Sequence, residues 1–182
     1  PQARGRSRTI STNECLAEAK RLVNNGFKEI ILTGVNIGEY SRSSGESFEE
    51  LVKKLLDVKG LERLRLSSVE PNTVTKELLK VLADSPKAMD HFHLPLQSGS
   101  DHILKLMRRK YSISEYKEKL MMVKEYFPSA GIGADIITGF PGETDEEFET
   151  TINFLREIPI THFHPFPYSK RKNTLAAKMD CH

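Results

Sequence analysis

The sequence has no uninterrupted apolar run of about eighteen residues, the length that a membrane-spanning helix needs. It also has no basic-then-apolar leader at its start. A soluble protein is expected. Cysteine is scarce: the 182 residues hold two, Cys15 and Cys181, near opposite ends and without metal-type spacing. That argues against a disulfide framework and against a cluster site built from these residues alone, and it fits a reducing compartment such as the cytoplasm. Three catalytic signatures are missing as well. No Walker Lys-Ser/Thr follows a glycine loop, no G-x-G-x-x-G follows a strand, and no G-x-S-x-G elbow is present. Nucleotide triphosphate hydrolysis and serine nucleophile chemistry lose their usual signals. The net charge of +2 is too mild to announce a nucleic-acid protein.

What is present is alternation. An amphipathic segment from about Glu14 has an asparagine near its start and Gly26 at the helix-stop position, and FKEIILTG follows as a buried strand. SFEELVKKLLDVKG reads as a helix, with Ser47 and Glu50 at capping-box spacing. LERLRLSS, HFHLPLQSG, AGIGADIITG and THFHPFPYS read as further strands. NTVTKELLKVLADSP, SDHILKLMRR, SISEYKEKLMMVKEYF and TDEEFETTINFLREI read as the helices between them. SRSSGES is expected to be a loop. Five strands alternating with helices imply a parallel α/β sheet covered by helices, either doubly wound or a full or partial (β/α) barrel.

Either form keeps its chemistry at the carboxyl ends of the strands. The residues there are Gly34-Val35-Asn36, Ser67 to Glu70, Gln97-Ser98-Gly99, Gly139 to Gly142 and Tyr168-Ser169. Each alone is turn chemistry. Glycine or serine at all five ends points to an elongated polar ligand lying across the sheet edge. The acids Glu143, Asp145, Glu146 and Glu147 beside the GFPGET turn disfavour a phosphate there and favour a neutral or cationic group, or a ribose. Two His-x-His pairs, His91/His93 and His162/His164, each place both imidazoles on one face of a strand. Such pairs inside a barrel can hold zinc, so a metal-dependent hydrolase is one alternative. Asp135 is a possible carboxylate for it but lies a full strand away in sequence order. Three basic groups stand out: Arg4, Arg6 and Arg8; Arg108-Arg109-Lys110; and Lys170-Arg171-Lys172. They serve one polyanion only if the fold gathers them on one face.

Taken together and in order, ARGRSR, LTGVNIG, RLSSVEP, HLPLQSGSD with LKLMRRKYS, DIITGFPGET and HPFPYS resemble the radical S-adenosylmethionine (SAM) methylthiotransferases. The opening PQARGRSR and the GVNIG loop are most similar to the branch acting on tRNA that carries N6-threonylcarbamoyladenosine. Other branches modify isopentenyladenosine in tRNA or an aspartate of a ribosomal protein. The resemblance spans almost the whole chain. It implies a partial (β/α)6 barrel lacking its first strand, with SAM across the strand ends. It also implies cofactor contacts at Gly34 (methionine amino group), Ser68, Gln97, Arg109 (in the helix after the fourth strand, pairing with a carboxylate) and Asp135 (ribose). Some relatives carry a glutamate where Ser68 stands.

The family carries a C-x3-C-x2-C triplet for a [4Fe–4S] cluster just ahead of the segment matching Pro1. It also has an amino-terminal domain with a second cluster and a carboxy-terminal TRAM domain. None of these is in the 182 residues, and Cys15 matches no cluster ligand. The resemblance therefore implies residues 1–182 to be a partial core, inactive alone. In the complete enzyme a SAM-derived radical would take hydrogen from C2 of the modified adenosine next to the anticodon, and a methylthio group would be attached there. Arg4, Arg6, Arg8 and Lys170 to Lys172 would neutralise anticodon-loop phosphates. An open strand edge at FKEIILTG would favour self-association. A non-catalytic module that binds SAM or RNA is the other alternative.

Overall fold

The computed structural model describes residues 8–34 and 37–179. Among these residues five parallel strands are formed: β1 (Glu29–Leu32), β2 (Arg63–Leu66), β3 (His91–His93), β4 (Gly131–Thr138) and β5 (His162–Pro167). The helices are α1 (Thr12–Asn24), α2 (Tyr40–Ser44), α3 (Phe48–Leu56), α4 (Lys76–Ala83), α5 (Asp101–Leu106), α6 (Ile113–Tyr126) and α7 (Asp145–Glu157).

Strand order decides between the two architectures that the alternation allows. β1 pairs with β2, and β3 with β4 and β4 with β5, all parallel. The two ladders are joined by parallel bridges between Leu64 and Ala88 and between Ser68 and His93. The strands therefore lie in sequence order, with no switch point of the doubly wound kind. This is a barrel-like arrangement, with β1 and β5 at its edges among the described residues. Between the two joining bridges the register slips by one residue, a bulge that splits the ladder there.

The third strand is far shorter than HFHLPLQSG led us to expect, and Pro95 is the reason. Its nitrogen faces β2, where Val69 N–H donates to His93 O at 2.9 Å, and without an N–H it cannot extend that ladder. On the other side the β4 ladder breaks after Leu94 N–H reaches Gly133 O at 2.8 Å. The carbonyls that follow turn to side chains. Tyr116 Oη donates to Leu94 O at 2.9 Å, and Tyr111 Oη donates to Pro95 O at 2.9 Å and Leu96 O at 3.1 Å. Both tyrosines are buried, and burial pushes both phenols up. The chain rejoins β4 at Gln97, whose N–H donates to Asp135 O and whose carbonyl accepts from Ile137 N–H.

Caps set the helix starts. Ser11, Ser112 and Thr144 each form a reciprocal capping box with the residue three places on. Ser11 thus takes the role that the asparagine was expected to have. At Ser47 the hydroxyl accepts from Glu50 N–H, the expected cap, and donates to the Glu49 carboxylate. SRSSGES is not wholly a loop: its first part continues α2, which ends at Gly45 in the left-handed region (φ 74°).

The two faces of the sheet differ. Leu64, Leu66, Phe92, Leu94, Ile132, Ala134 and Ile136 are buried in one core with Leu51, Leu55, Leu78, Leu79, Leu120 and Val123 of the helices. The other, concave face carries Glu29, Arg63, Arg65, His91, His93, Asp135, His162 and His164, each at the alternate strand position.

Candidate functional site

The strand ends are shaped by backbone conformation first. Gln97, the residue at which the chain rejoins β4, sits at φ 73° although it is not a glycine, and only 7% of it is exposed. That posture is costly for a side chain with a Cβ and is held by its surroundings. Thr151 of α7 supplies part of the hold: its Oγ1 accepts from Gly99 N–H at 2.9 Å. A Cβ on Gly99 would stand 2.6 Å from Thr151 Cα, so only glycine lets α7 lie this close. Ser100 and His102 are tied to Glu147 at 3.1 and 2.6 Å. Burial works to raise the Glu147 carboxyl, but hydrogen bonds from Thr144 N–H, His102 and Ser100 hold it below its ordinary value.

The GFPGET turn after β4 needs glycine for conformation. Gly139 and Gly142 have φ 68° and 91°. A Cβ on Gly139 would meet nothing within 4 Å, so this turn leaves open space beyond the strand end. Glu143 folds back to accept from Gly139 N–H, and burial raises its carboxyl against that bond. Phe140 is buried edge-on to Tyr168, which follows β5, with ring centroids 5.4 Å apart.

Of the five expected cofactor contacts, the fold brings four to neighbouring places. Gln97 is hydrogen-bonded to the backbone of Asp135. Ser68, exposed past β2, is bridged to His93, and His93 Nε2 lies 3.2 Å from Asp135 Oδ2. Arg109 pairs with Glu70 at 3.1 Å, two residues beyond Ser68. Arg109 is not in a helix, however: α5 ends at Leu106, and Arg108 turns the chain at φ 59°. That turn presents Arg108, Arg109 and Lys110 to a cleft of about 260 Å³ shared with Glu39, Glu70 and Asn72. Gly34 lies two residues past β1 and is exposed, its Cβ position 3.2 Å from Ile37.

Asp135, a full strand from the His-x-His pairs in sequence, lies between them in space. Register pairs it with His164, whose Nδ1 is 3.8 Å from Asp135 Oδ1. The imidazole rings meet across β4, His91 stacked on His162 and His93 tilted against His164, with centroids 5.7 Å apart in each pair. Gly133 makes room for them, since a Cβ there would collide with His162 and stand 3.0 Å from His93 Nδ1. No group of three or more His, Cys, Asp or Glu among the described residues is arranged to hold a metal ion.

A family model for the radical SAM superfamily matches residues 1–155. The chain belongs to the radical SAM superfamily. Among curated relatives of this radical SAM chain are the threonylcarbamoyladenosine tRNA methylthiotransferases MtaB of Bacillus subtilis (strain 168) and Aquifex aeolicus (strain VF5). Each is 42% identical, over 99% and 98% of this chain and 40% and 44% of the relative. The tRNA-2-methylthio-N(6)-dimethylallyladenosine synthase of Acetivibrio thermocellus is 40% identical over 99% of this chain and 38% of the relative. The chain thus spans about two fifths of the length of these curated relatives. Similar solved structures share the fold. One is the radical SAM methyltransferase TsrM from Kitasatospora setae, with TM-score 0.70 and 14% identity, over 86% of this chain and 31% of that one. Another is coproporphyrinogen III oxidase HemN from Escherichia coli, with TM-score 0.61 and 17% identity, over 93% and 40%.

The basic residues divide. Arg4 and Arg6 lie outside the described residues, as do Val35, Asn36 and Cys181. Arg8 is exposed ahead of α1, and Lys170, Arg171 and Lys172 are exposed beyond β5. Helices return antiparallel to the strands, so the start of α1 and the end of β5 lie on the same side of the sheet, its carboxyl edge. Sequence reasoning missed Glu70 as the partner of Arg109, and Thr151 and Glu147 as supports. The i+4 spacing of Glu147 and Thr151 on α7 was visible in the sequence, but the loop they face was not. Among the described residues no helix is long and apolar enough to cross a membrane.

Proposed function

We propose that this chain is the SAM-binding core of a tRNA methylthiotransferase that places a methylthio group on C2 of N6-threonylcarbamoyladenosine at position 37, beside the anticodon. What carries the reading is identity of 42% along nearly the whole chain to two enzymes named for that modification. The strand ends support it. The open space beyond Gly139, the exposed Gly34 and the polar row Ser68, Gln97 and Asp135 suit an elongated ligand such as SAM. When bound, SAM supplies the radical chemistry, and the protein supplies position and exclusion of water. Arg8 and Lys170 to Lys172, exposed at the carboxyl edge, would neutralise RNA phosphates, and Arg4 and Arg6 are assigned the same role from their place in the sequence.

The residues of this chain do not fit an iron–sulfur cluster. It has two cysteines, and Cys15 is half-buried on α1, where burial and the charges of Glu14 and Glu46 push its thiol up, away from the thiolate a cluster needs. Residues 1–182 alone are therefore expected not to turn over. The exposed Ile31 of β1 and Phe163 and Phe166 of β5 favour self-association of the isolated chain, and light scattering at high concentration tests it.

The test of function is the nucleoside content of tRNA from cells with and without the gene. Loss of the 2-methylthio form of threonylcarbamoyladenosine on deletion, restored by the gene, is the expected result. Loss of the dimethylallyladenosine derivative instead would assign the enzyme to the other branch. Neutralising Arg4, Arg6 and Arg8 should weaken tRNA binding and flatten its salt dependence; an unchanged slope removes them from the interface.

A further inference from the structure

The proposed activity gives tasks to two of the three basic groups and, in the third, to Arg109 alone. Arg108 and Lys110 stand exposed on either side of it. The backbone that carries them closes α5 in a particular way. Arg109 N–H donates to Leu104 O at 2.9 Å, and Arg108 N–H to Lys105 O at 3.0 Å. That pattern puts Arg108 in the left-handed region, at φ 59°. Glycine is customary at this place after a helix, and asparagine is the usual substitute. An arginine carries a conformational cost here that glycine does not. Packing does not offset it, because the residue is exposed. Among the described residues neither the Arg108 nor the Lys110 side chain has a hydrogen-bond or ion-pair partner.

Both side chains line the cleft of about 260 Å³, and every wall of that cleft comes from the carboxyl edge. Glu39 follows β1, and Glu70 and Asn72 follow β2. The basic turn is anchored beyond β3 by Tyr111, whose Oη donates to Pro95 O and Leu96 O. Inside the cleft Arg109 neutralises Glu70 at 3.1 Å, which sets the two cations Arg108 and Lys110 against Glu39. The cleft is therefore polar and cationic by one charge, and Asn72 adds an exposed neutral donor. Lys170, Arg171 and Lys172 lie exposed on the same edge, past β5. β3 and β4 separate β2 from β5, so the two basic groups are set apart by three strand spacings, roughly 14 Å. Gln97 and Asp135, in the row suited to SAM, stand between them.

We infer that Arg108 and Lys110, with Asn72, form a phosphate-contacting patch for RNA on the β2 side of the carboxyl edge, opposite Lys170 to Lys172. The inference rests on the reading of this chain as a tRNA methylthiotransferase core, and it adds how the RNA is held. Its backbone is gripped on both flanks of the strand-end row, and the nucleotide between them is presented to that row. Guanidinium, ammonium and amide groups all suit phosphate oxygens, and such contacts fix register and orientation without reading sequence. Cations on the β5 side alone would leave the RNA free to pivot about that edge. The cost of an arginine at a glycine position is then explained by the charge it places in the cleft.

The test is fluorescence anisotropy of a labelled, unmodified anticodon stem-loop with the full-length protein, over a salt series. Arg108→Gly and, separately, Lys110→Ala should lower the affinity severalfold at low salt. Each should also take about 0.7 off the slope of log affinity against log salt, the share of one phosphate contact on a single strand. Arg108→Gly should at the same time raise the thermal midpoint, because glycine suits the left-handed conformation; a merely structural arginine would lower it. Lys80→Ala, at an exposed position near the end of α4, should change neither affinity nor slope. Unchanged affinity and slope in both cleft variants overturn the inference, although the tRNA reading then stands. So does a loss of SAM affinity with RNA affinity intact, which would assign the cleft to the cofactor. Failure of the wild-type protein to bind the loop removes the tRNA reading and this inference with it.

Discussion

The two faces of one sheet follow opposite rules. The outer face of β2, β3 and β4 packs Leu64, Leu66, Phe92, Leu94, Ile132 and Ile136 under helices. The concave face, one residue away along each strand, carries arginines, histidines and acids that stack, pair and in places go unsatisfied. The outer face holds the fold together by burying apolar area. The inner face buries less apolar area and is expected to contribute less to stability. A strand can serve both because its side chains alternate.

The strongest test of that division is Leu94→Ala on the outer face. Leu94 is fully buried (0% exposed), and its truncation should cost about 3 kcal/mol, read as a lower urea midpoint with an unchanged slope. A second comparison sets two glycines against each other. Gly99→Ala drives a Cβ into the backbone of Thr151, which does not give, and should cost about 2 kcal/mol. Gly133→Ala meets the ends of two imidazoles instead, so it should cost less and act mainly by displacing His162, visible as shifted imidazole resonances. If Gly133→Ala proved the more damaging of the two, the concave face would be a structural core after all.

On that face His164→Ala removes a half-exposed ring whose neighbours Asp135, His93 and His162 touch it only loosely, and its effect on stability should stay below about 0.5 kcal/mol. The smallest effect concerns acid. Burial, then the charges of Arg65, His162 and His93, lower the pKa of His91 from 6.5. The unfolded chain therefore takes up this proton at higher pH than the folded one. Stability is complete above the ordinary imidazole value and declines as the pH falls below it, toward the lowered folded value. His91→Gln should shallow the loss between pH 7.5 and pH 5.5; an unchanged loss would assign it to other groups.

How much of this was legible in advance varies with the interaction. Helix starts were readable because a cap and its partner lie within four residues, as at Thr144 and Glu147. At Ser47 the same spacing located the cap, whose hydroxyl accepts from Glu50 N–H. The length of β3 was misread because Pro95 was taken as part of the strand, and the tyrosines that replace the ladder come from 15 to 22 residues later in the sequence. Arg109 was placed in a helix because nothing local signals that a non-glycine residue, Arg108, will adopt a positive φ.

The sequence by itself determined the alternation of strands and helices, the parallel sheet, the glycine and serine strand ends and the family. All of these depend on local periodicity or on motifs contiguous in the chain. Tertiary structure alone decided that the strands lie in sequence order, that Asp135 stands between His93 and His164, that Arg109 is held by Glu70, and that Thr151 secures the loop after β3. These are contacts between residues 29 to 52 positions apart. Register and packing across the whole sheet create them, and no short stretch of sequence encodes them.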